Sequence, residues 1–259
     1  FSYVEADEDR GVVGLRPPQI GAVHAVHAHW SVSAAPATIV MPTGTGKTET
    51  MLSVLVSAAC SRVLVVVPTD ALRAQIAEKF LTLGVLKHQR ASILSEGASH
   101  PTVCVLKHIP KTVASVTALF ERAHVVVTTS SIAGQCERDV QEAIAELCTH
   151  LFIDEAHHAE APTWKAFKER FGARRVLQFT ATPFREDGRS LDGKLIYVYP
   201  LRKAQEEGYF KPINFVNVIE FDPSRADEAI AAAAIAQLRQ DYDKGHILMA
   251  RVETVRRAE

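Results

Sequence analysis

The sequence has little of what would tie a chain to a membrane, a metal cluster or an oxidising compartment. No apolar run approaches the ~20 residues of a membrane span. The longest candidate, residues 229–238, is rich in alanine and flanked by Glu228 and Arg239, so it reads as a helix in water. Only four cysteines occur, Cys60, Cys104, Cys136 and Cys148. None forms a C-x-x-C pair and none joins histidines at zinc spacing, which excludes a zinc ribbon and a disulfide framework and leaves small buried residues in a reducing compartment. Charge of one sign is also missing: the formal net charge is -1, so there is no global basic signature. Contact with nucleic acid would then rest on a local groove of amides and a few arginines. The first ten residues lack a basic n-region and an apolar h-region, so they do not read as a signal peptide. The chain has no initiator Met, as expected of a piece of something longer.

Apolar material is ample, at 47% hydrophobic against 23% charged over 259 residues. That supports a sizeable core in one large domain or two small ones. Short Val/Ile/Leu-rich runs predict strands over 38–41, 63–67, 103–106, 124–128, 150–153 and 175–179. Helices are predicted between them over 48–59, 71–83, 111–122 and 132–147. Continuously apolar short strands alternating with helices imply an α/β fold, a mainly parallel sheet covered on both faces. His24, His27 and His29 fall on a further predicted helix without a carboxylate cluster, and read as surface or core residues. After Pro183 the texture changes to a polar loop over 185–194, a short helix over 201–208 and a linker over 209–212. Residues 213–221, 225–242 and 246–250 then read as a β-α-β unit opening a second α/β domain, giving domains 1–211 and 212–259.

Two segments carry chemistry. Residues 41–48 read Met-Pro-Thr-Gly-Thr-Gly-Lys-Thr, against the phosphate-binding pattern G-x-x-x-x-G-K-[ST]. Gly44 and Gly46 let the backbone curl its N–H groups inward around Thr43 and Thr45, and the following helix adds its positive end. Lys47 would reach the β and γ phosphates, and Thr48 would ligate Mg²⁺. Met41 stands where the pattern has glycine, at the strand end, where a side chain is expected to be tolerated. Residues 151–158 read Leu-Phe-Ile-Asp-Glu-Ala-His-His. Asp154, at a strand tip, can hold Mg²⁺ through water. Glu155 can orient and deprotonate an attacking water.

Asp154-Glu155-Ala156-His157 resembles the box that names the DEAD/DEAH group of superfamily 2 helicases and translocases. Thr180-Ala181-Thr182-Pro183 is similar to their third motif, residues 68–75 to motif Ia, and Val127-Thr128-Thr129-Ser130 to motif Ib, all in the family's order. The stretch from Thr180 to Gly188 looks most like the branch of restriction-enzyme motor subunits. The resemblance implies a RecA-like P-loop domain and a nucleic-acid-dependent ATPase whose cofactors are ATP and Mg²⁺. Gln19 would read the adenine, and Arg16 would stack on it. Tyr3 is the candidate for the aromatic that sometimes covers the base. Thr69, Arg73 and Thr129 would meet a nucleic-acid backbone, and His157, Thr180 and Thr182 would couple the two sites. The partners implied are nucleic acid, DNA favoured over RNA, and the remainder of a second RecA-like domain, which in this family supplies an arginine finger. A cytoplasmic or nucleoid-associated location follows from the same resemblance. Two other classes fit the phosphate loop: a nucleotide-gated clamp without useful turnover, which would not depend on Glu155, and a small-molecule kinase, which has no need of residues 68–75 or 180–183.

Overall fold

The computed structural model describes residues 1–156, 162–172, 174–182, 192–210, 216–240, 245 and 247–249. The chain divides into two compact units, Phe1–Lys211 and Pro212–Glu259.

Unit 1 is built on seven strands: β1 (Ala37–Val40), β2 (Val63–Val67), β3 (Val103–Val105), β4 (Val125–Thr129), β5 (His150–Ile153), β6 (Arg175–Thr180) and β7 (Lys194–Val198). They form one sheet in the order β3-β4-β2-β5-β6-β1-β7, and every pairing is parallel. Parallel neighbours need crossovers, and helices supply them. On one face lie α1 (Pro17–Val32), α2 (Lys47–Ser57) and α3 (Asp70–Thr82). On the other lie α4 (Val113–Phe120), α5 (Ser130–Gln135), α6 (Arg138–Leu147) and α7 (Pro162–Glu169). Alternation along the strands feeds both cores. Val63, Val65 and Val67 pack with Met51, Leu52 and Phe80, while Leu64 and Val66 pack with Phe120, Val140 and Phe167. A strand that buries both faces has no polar face to show, hence the unbroken apolar runs.

Six strands lie where the sequence predicts them. β7 lies outside the predicted strands, although residues 195–198 read Leu-Ile-Tyr-Val, an apolar and β-prone run just after the polar loop; it is an edge strand, with Leu195 and Val198 about half exposed. The single helix expected over 132–147 is instead two helices, broken at Cys136 and Glu137, which are both extended. The break is satisfied locally: Gln141 Nε2 donates to Ala133 O (3.3 Å) and Gly134 O (3.2 Å), carbonyls at the end of α5 that an unbroken helix would have bonded itself. A short helix α8 (Leu201–Glu206) follows β7, as expected.

Unit 2 contributes helix α9 (Ala226–Gln240). Residues 216–221 and 247–249 are described and carry no strand, in contrast to the strands read there. A strand is stable only on a ladder partner, and the described part of this unit offers none. Among the described residues no helix is long and apolar enough to cross a membrane.

Candidate nucleotide site

The order β4-β2-β5-β6-β1 brings the chemically suggestive segments side by side at the C-terminal edge of the sheet. Open parallel sheets bind ligands at this edge. Val40 pairs with Thr180, Val66 with Ile153 and Val67 with Thr129. The phosphate loop, Asp154-Glu155, Thr69, Thr129 and Thr180 therefore all leave the sheet together.

The loop after β1 has the shape its glycines permit. Gly44 (φ +85°) and Gly46 (φ +95°) are left-handed, and Lys47 opens α2 directly after. Thr45 is fully buried; its hydroxyl and its N–H both donate to Pro42 O, at 2.6 and 3.2 Å. Thr45 therefore shapes the loop from within and does not line the cleft. Met41 is fully buried in the core, and its N–H donates to Thr180 O (2.9 Å). Its backbone is not left-handed, so nothing at position 41 requires glycine.

A cleft of about 570 Å³ opens over the start of α2. Arg16, Gln19, Thr43, Gly44, Gly46, Lys47, Thr48, Asp154 and Glu155 all line it, so the structure brings together all the residues assigned above to nucleotide, metal and catalysis except Thr45 and Tyr3. Lys47 Nζ lies 2.9 Å from Glu155 Oε1, an ion pair within the cleft. Glu155 is itself left-handed (φ +48°), a costly backbone state for a residue with a side chain. Asp154 extends the β5–β2 ladder through its N–H to Val66 O (2.9 Å), and its carboxylate is buried. Burial, and then the charge of Glu155, push its carboxyl up to about 6, against the pull of Lys47 and a backbone hydrogen bond.

The donor set fits a magnesium ion. Asp154 Oδ1 is buried with no hydrogen-bond partner among the described residues, a costly state that a cation or its water would relieve. Thr48 adds a hydroxyl from the first turn of α2. Among the described residues no cluster of three His, Cys, Asp or Glu forms a closed cage. Few protein ligands suit Mg²⁺, which keeps several waters and shares substrate phosphates.

On the α1 side, Arg16 Nη1 donates to Gly44 O (2.9 Å), and its guanidinium lies over the Tyr209 ring, 5.1 Å from the centroid. Gln19 is buried, accepts from Arg16 N–H at 2.8 Å, and brings its Nε2 within 3.5 Å of Thr45 O. Tyr3 is placed elsewhere: its ring stacks on His24 (centroids 4.3 Å) and does not line the cleft.

The opposite wall was missed. Leu72, Gln75, Ile76 and Lys79 of α3 face the cleft, with Lys79 paired to Glu49 of α2 (3.2 Å). Their spacing is that of one helix face and could have revealed them.

The residues assigned to a nucleic-acid backbone have structural partners. Thr69 caps α3 by accepting from Leu72 N–H (3.3 Å), and Thr129 caps α5 by accepting from Ile132 N–H (3.4 Å). Arg73 is buried and paired with Asp70 (2.9 Å). Thr180 Oγ1 donates to Thr182 O (2.7 Å) and accepts from Thr182 N–H (3.2 Å), which sets the turn after β6. His157 and Pro183 lie outside the described residues, as does most of the 185–194 loop.

Comparison with known proteins agrees with this architecture. The chain is similar to the Type ISP restriction-modification enzyme LlaGI, solved as a nuclease-deletion mutant with a DNA substrate mimic: 18% identity, TM-score 0.52, covering 89% of this chain and 23% of that one. It is also similar to the UvsW helicase of bacteriophage T4, at 15% identity and TM-score 0.48 over 66% of this chain and 54% of that one. The Hef helicase domain of Pyrococcus furiosus matches at 22% identity and TM-score 0.40, over 62% and 32% of the two chains. This chain thus spans about a quarter of LlaGI and about half of UvsW. No curated protein sequence matches it. The model of the Type III restriction enzyme res subunit matches residues 13–185, from just before the Arg16–Gln19 turn to just past β6. The chain belongs to that family, and residues 13–185 are its superfamily 2 RecA-like domain.

Proposed function

We propose that the cleft binds ATP with Mg²⁺, and that unit 1 is the first motor domain of an ATP-dependent DNA helicase or translocase. The observation that carries this is the convergence, in one cleft, of a left-handed glycine loop, Lys47 and an Asp154 oxygen with no partner of its own among the described residues. The loop's N–H groups and the start of α2 hold the phosphates. Lys47 leaves Glu155 to reach the β and γ phosphates. Mg²⁺, held by Thr48 and Asp154, would neutralise charge on the transferring group. Glu155, freed of Lys47, takes the proton of the attacking water. Gln19 and Arg16 hold the base end, an amide being able to donate to and accept from an adenine edge.

Movement requires nucleic acid. Thr69 and Thr129 keep spare hydroxyl capacity beside their caps, and hydroxyls and amides at helix starts bind phosphates without reading sequence. Arg73 would have to leave Asp70 to join them. Thr180 and Thr182, with His157, would carry the nucleotide state across the strand ends. DNA is favoured because the family is one of restriction enzymes and the relative LlaGI was solved with a DNA mimic. Pro212–Glu259 would begin the second RecA-like domain, whose remainder in the parent protein would supply the arginine finger. Such a finger contributes about 10³–10⁵ in turnover, so unit 1 by itself should hydrolyse ATP slowly.

Phosphate release measured with Mg·ATP alone, then with single-stranded DNA, duplex DNA or RNA, tests the reading. Slow turnover with DNA affinity altered by a non-hydrolysable ATP analogue is expected. Nucleotide-dependent DNA binding without any turnover would favour a clamp. Phosphate transfer to a small metabolite, indifferent to nucleic acid, would dismiss the motor.

A further inference from the structure

Tyr209 and Phe210 belong to none of the motifs above, yet Tyr209 meets Arg16 and Phe210 meets the phosphate loop at Gly44. Gly208 (φ +78°) turns the chain after α8, and Tyr209 N–H donates back to Ala204 O (2.9 Å). The turn places the Tyr209 ring under the Arg16 guanidinium, 5.1 Å from its centroid, with Tyr199 behind it (centroids 6.3 Å). Phe210 packs beside Gly44: a Cβ there would sit 3.6 Å from its Cζ. Arg16 closes the loop of contacts through its 2.9 Å bond to Gly44 O. Arg16 and Gly44 line the cleft; Tyr209 and Phe210 do not.

An exposed arginine is a poor recognition element when free, because fixing its long side chain costs entropy at the moment of binding. Arg16 is exposed, but an aromatic face on one side and a carbonyl on its Nη1 already hold it. The guanidinium is still exposed to a ligand, and a purine base is a planar π system that attracts such a cation.

We propose that Tyr209 is a positioning residue for the nucleotide base: it holds the Arg16 guanidinium at the α1 wall of the cleft, so that Arg16 meets the base without first being ordered. The proposal rests on the reading of the cleft as a nucleotide site. It predicts a split between base and phosphate recognition that a general structural role would not produce.

The test titrates Mg·ATP and Mg·tripolyphosphate, which has no base, into the 259-residue chain by calorimetry. Tyr209→Ala should weaken ATP by roughly threefold to thirtyfold, the range of one cation–π contact, and leave tripolyphosphate affinity unchanged. Tyr209→Phe keeps the ring and should bind ATP as the parent does. Arg16→Ala should match Tyr209→Ala, and the double variant should lose little more. Unchanged ATP affinity in Tyr209→Ala, or equal loss of both ligands, overturns the proposal. Lys47→Ala separates the two levels. If it loses both ligands while Tyr209→Ala loses neither, the nucleotide site stands and the role of Tyr209 falls. If the parent chain binds neither ligand, both fall.

Discussion

The close approach of Gln19 to Gly46 permits a quantitative test of how the cleft is built. Gly46 adopts φ +95° as it leads into α2, and a Cβ there would lie 1.8 Å from Gln19 Nε2 and 2.9 Å from its Cδ. Gly46→Ala therefore meets two costs. The left-handed backbone costs about 1–2 kcal/mol for a residue with a Cβ. The clash forces the buried Gln19 amide to move and give up its 2.8 Å bond from Arg16 N–H, a loss of about 1–2 kcal/mol. The sum, about 2–4 kcal/mol, should lower the thermal midpoint by roughly 5–15 °C for a chain of this size. Gln19→Ala alone forfeits that bond and the longer one to Thr45 O, without the backbone cost. Combining the two removes the side chain that the added methyl would strike, so the double variant should be more stable than the sum of the single losses by about 1 kcal/mol, read by thermal or urea unfolding. Additivity to within about 0.5 kcal/mol would refute the argument, since it would mean that Gln19 does not sit against the loop.

Two further outcomes are expected. His150 Nδ1 lies 2.8 Å from Thr149 Oγ1, whose own proton goes to Arg62 O, so Nδ1 is the donor and the buried Nε2 has no partner among the described residues. Burial, and then the charge of Arg175, lower its pKa from 6.5 to about 4. Its neutral form is favoured on folding, so stability should be lost as pH falls from 6.5 towards 4, by about 2 kcal/mol after allowing for residual hydration. His150→Leu should flatten that limb of a stability–pH curve, and an unchanged slope would contradict the assignment. Thr69→Asp keeps a capping oxygen for α3 but adds a negative charge. The thermal midpoint should stay within about 3 °C while affinity for single-stranded DNA falls severalfold; unaltered affinity would make Thr69 a cap and nothing more.

Legibility in the sequence followed burial. Strands such as 63–67, buried on both faces, write their position as an apolar run, and the phosphate loop and the acidic pair write theirs as residue types that chemistry requires. β7 did leave a trace, the Leu-Ile-Tyr-Val run at 195–198, but a run that short beside a polar loop does not by itself say whether it joins the sheet, and its exposed edge position adds no second signal. The split between α5 and α6 was hidden because it depends on Gln141 reaching back seven and eight residues, a contact that periodicity does not encode. The same holds at the site. The α1 turn and the loop were readable, and the α3 residues were legible as one helix face though not as a wall of the cleft, while the contact of Tyr209 with Arg16 exists only once segments distant in sequence have met. The caps formed by Thr69 and Thr129 show the reverse: a hydroxyl read as a ligand contact also has a local role that one sequence cannot separate from it.

The central claim is that Lys47 binds the nucleotide while Glu155 does the chemistry. It is tested most directly by measuring Mg·ATP affinity and single-turnover phosphate release for Lys47→Ala and Glu155→Gln side by side. Lys47→Ala should lose binding. Glu155→Gln should bind at least as well as the parent, since its carboxylate no longer holds Lys47 at 2.9 Å, while release slows by roughly 10²–10⁴. Unchanged binding and release in both variants would contradict the account.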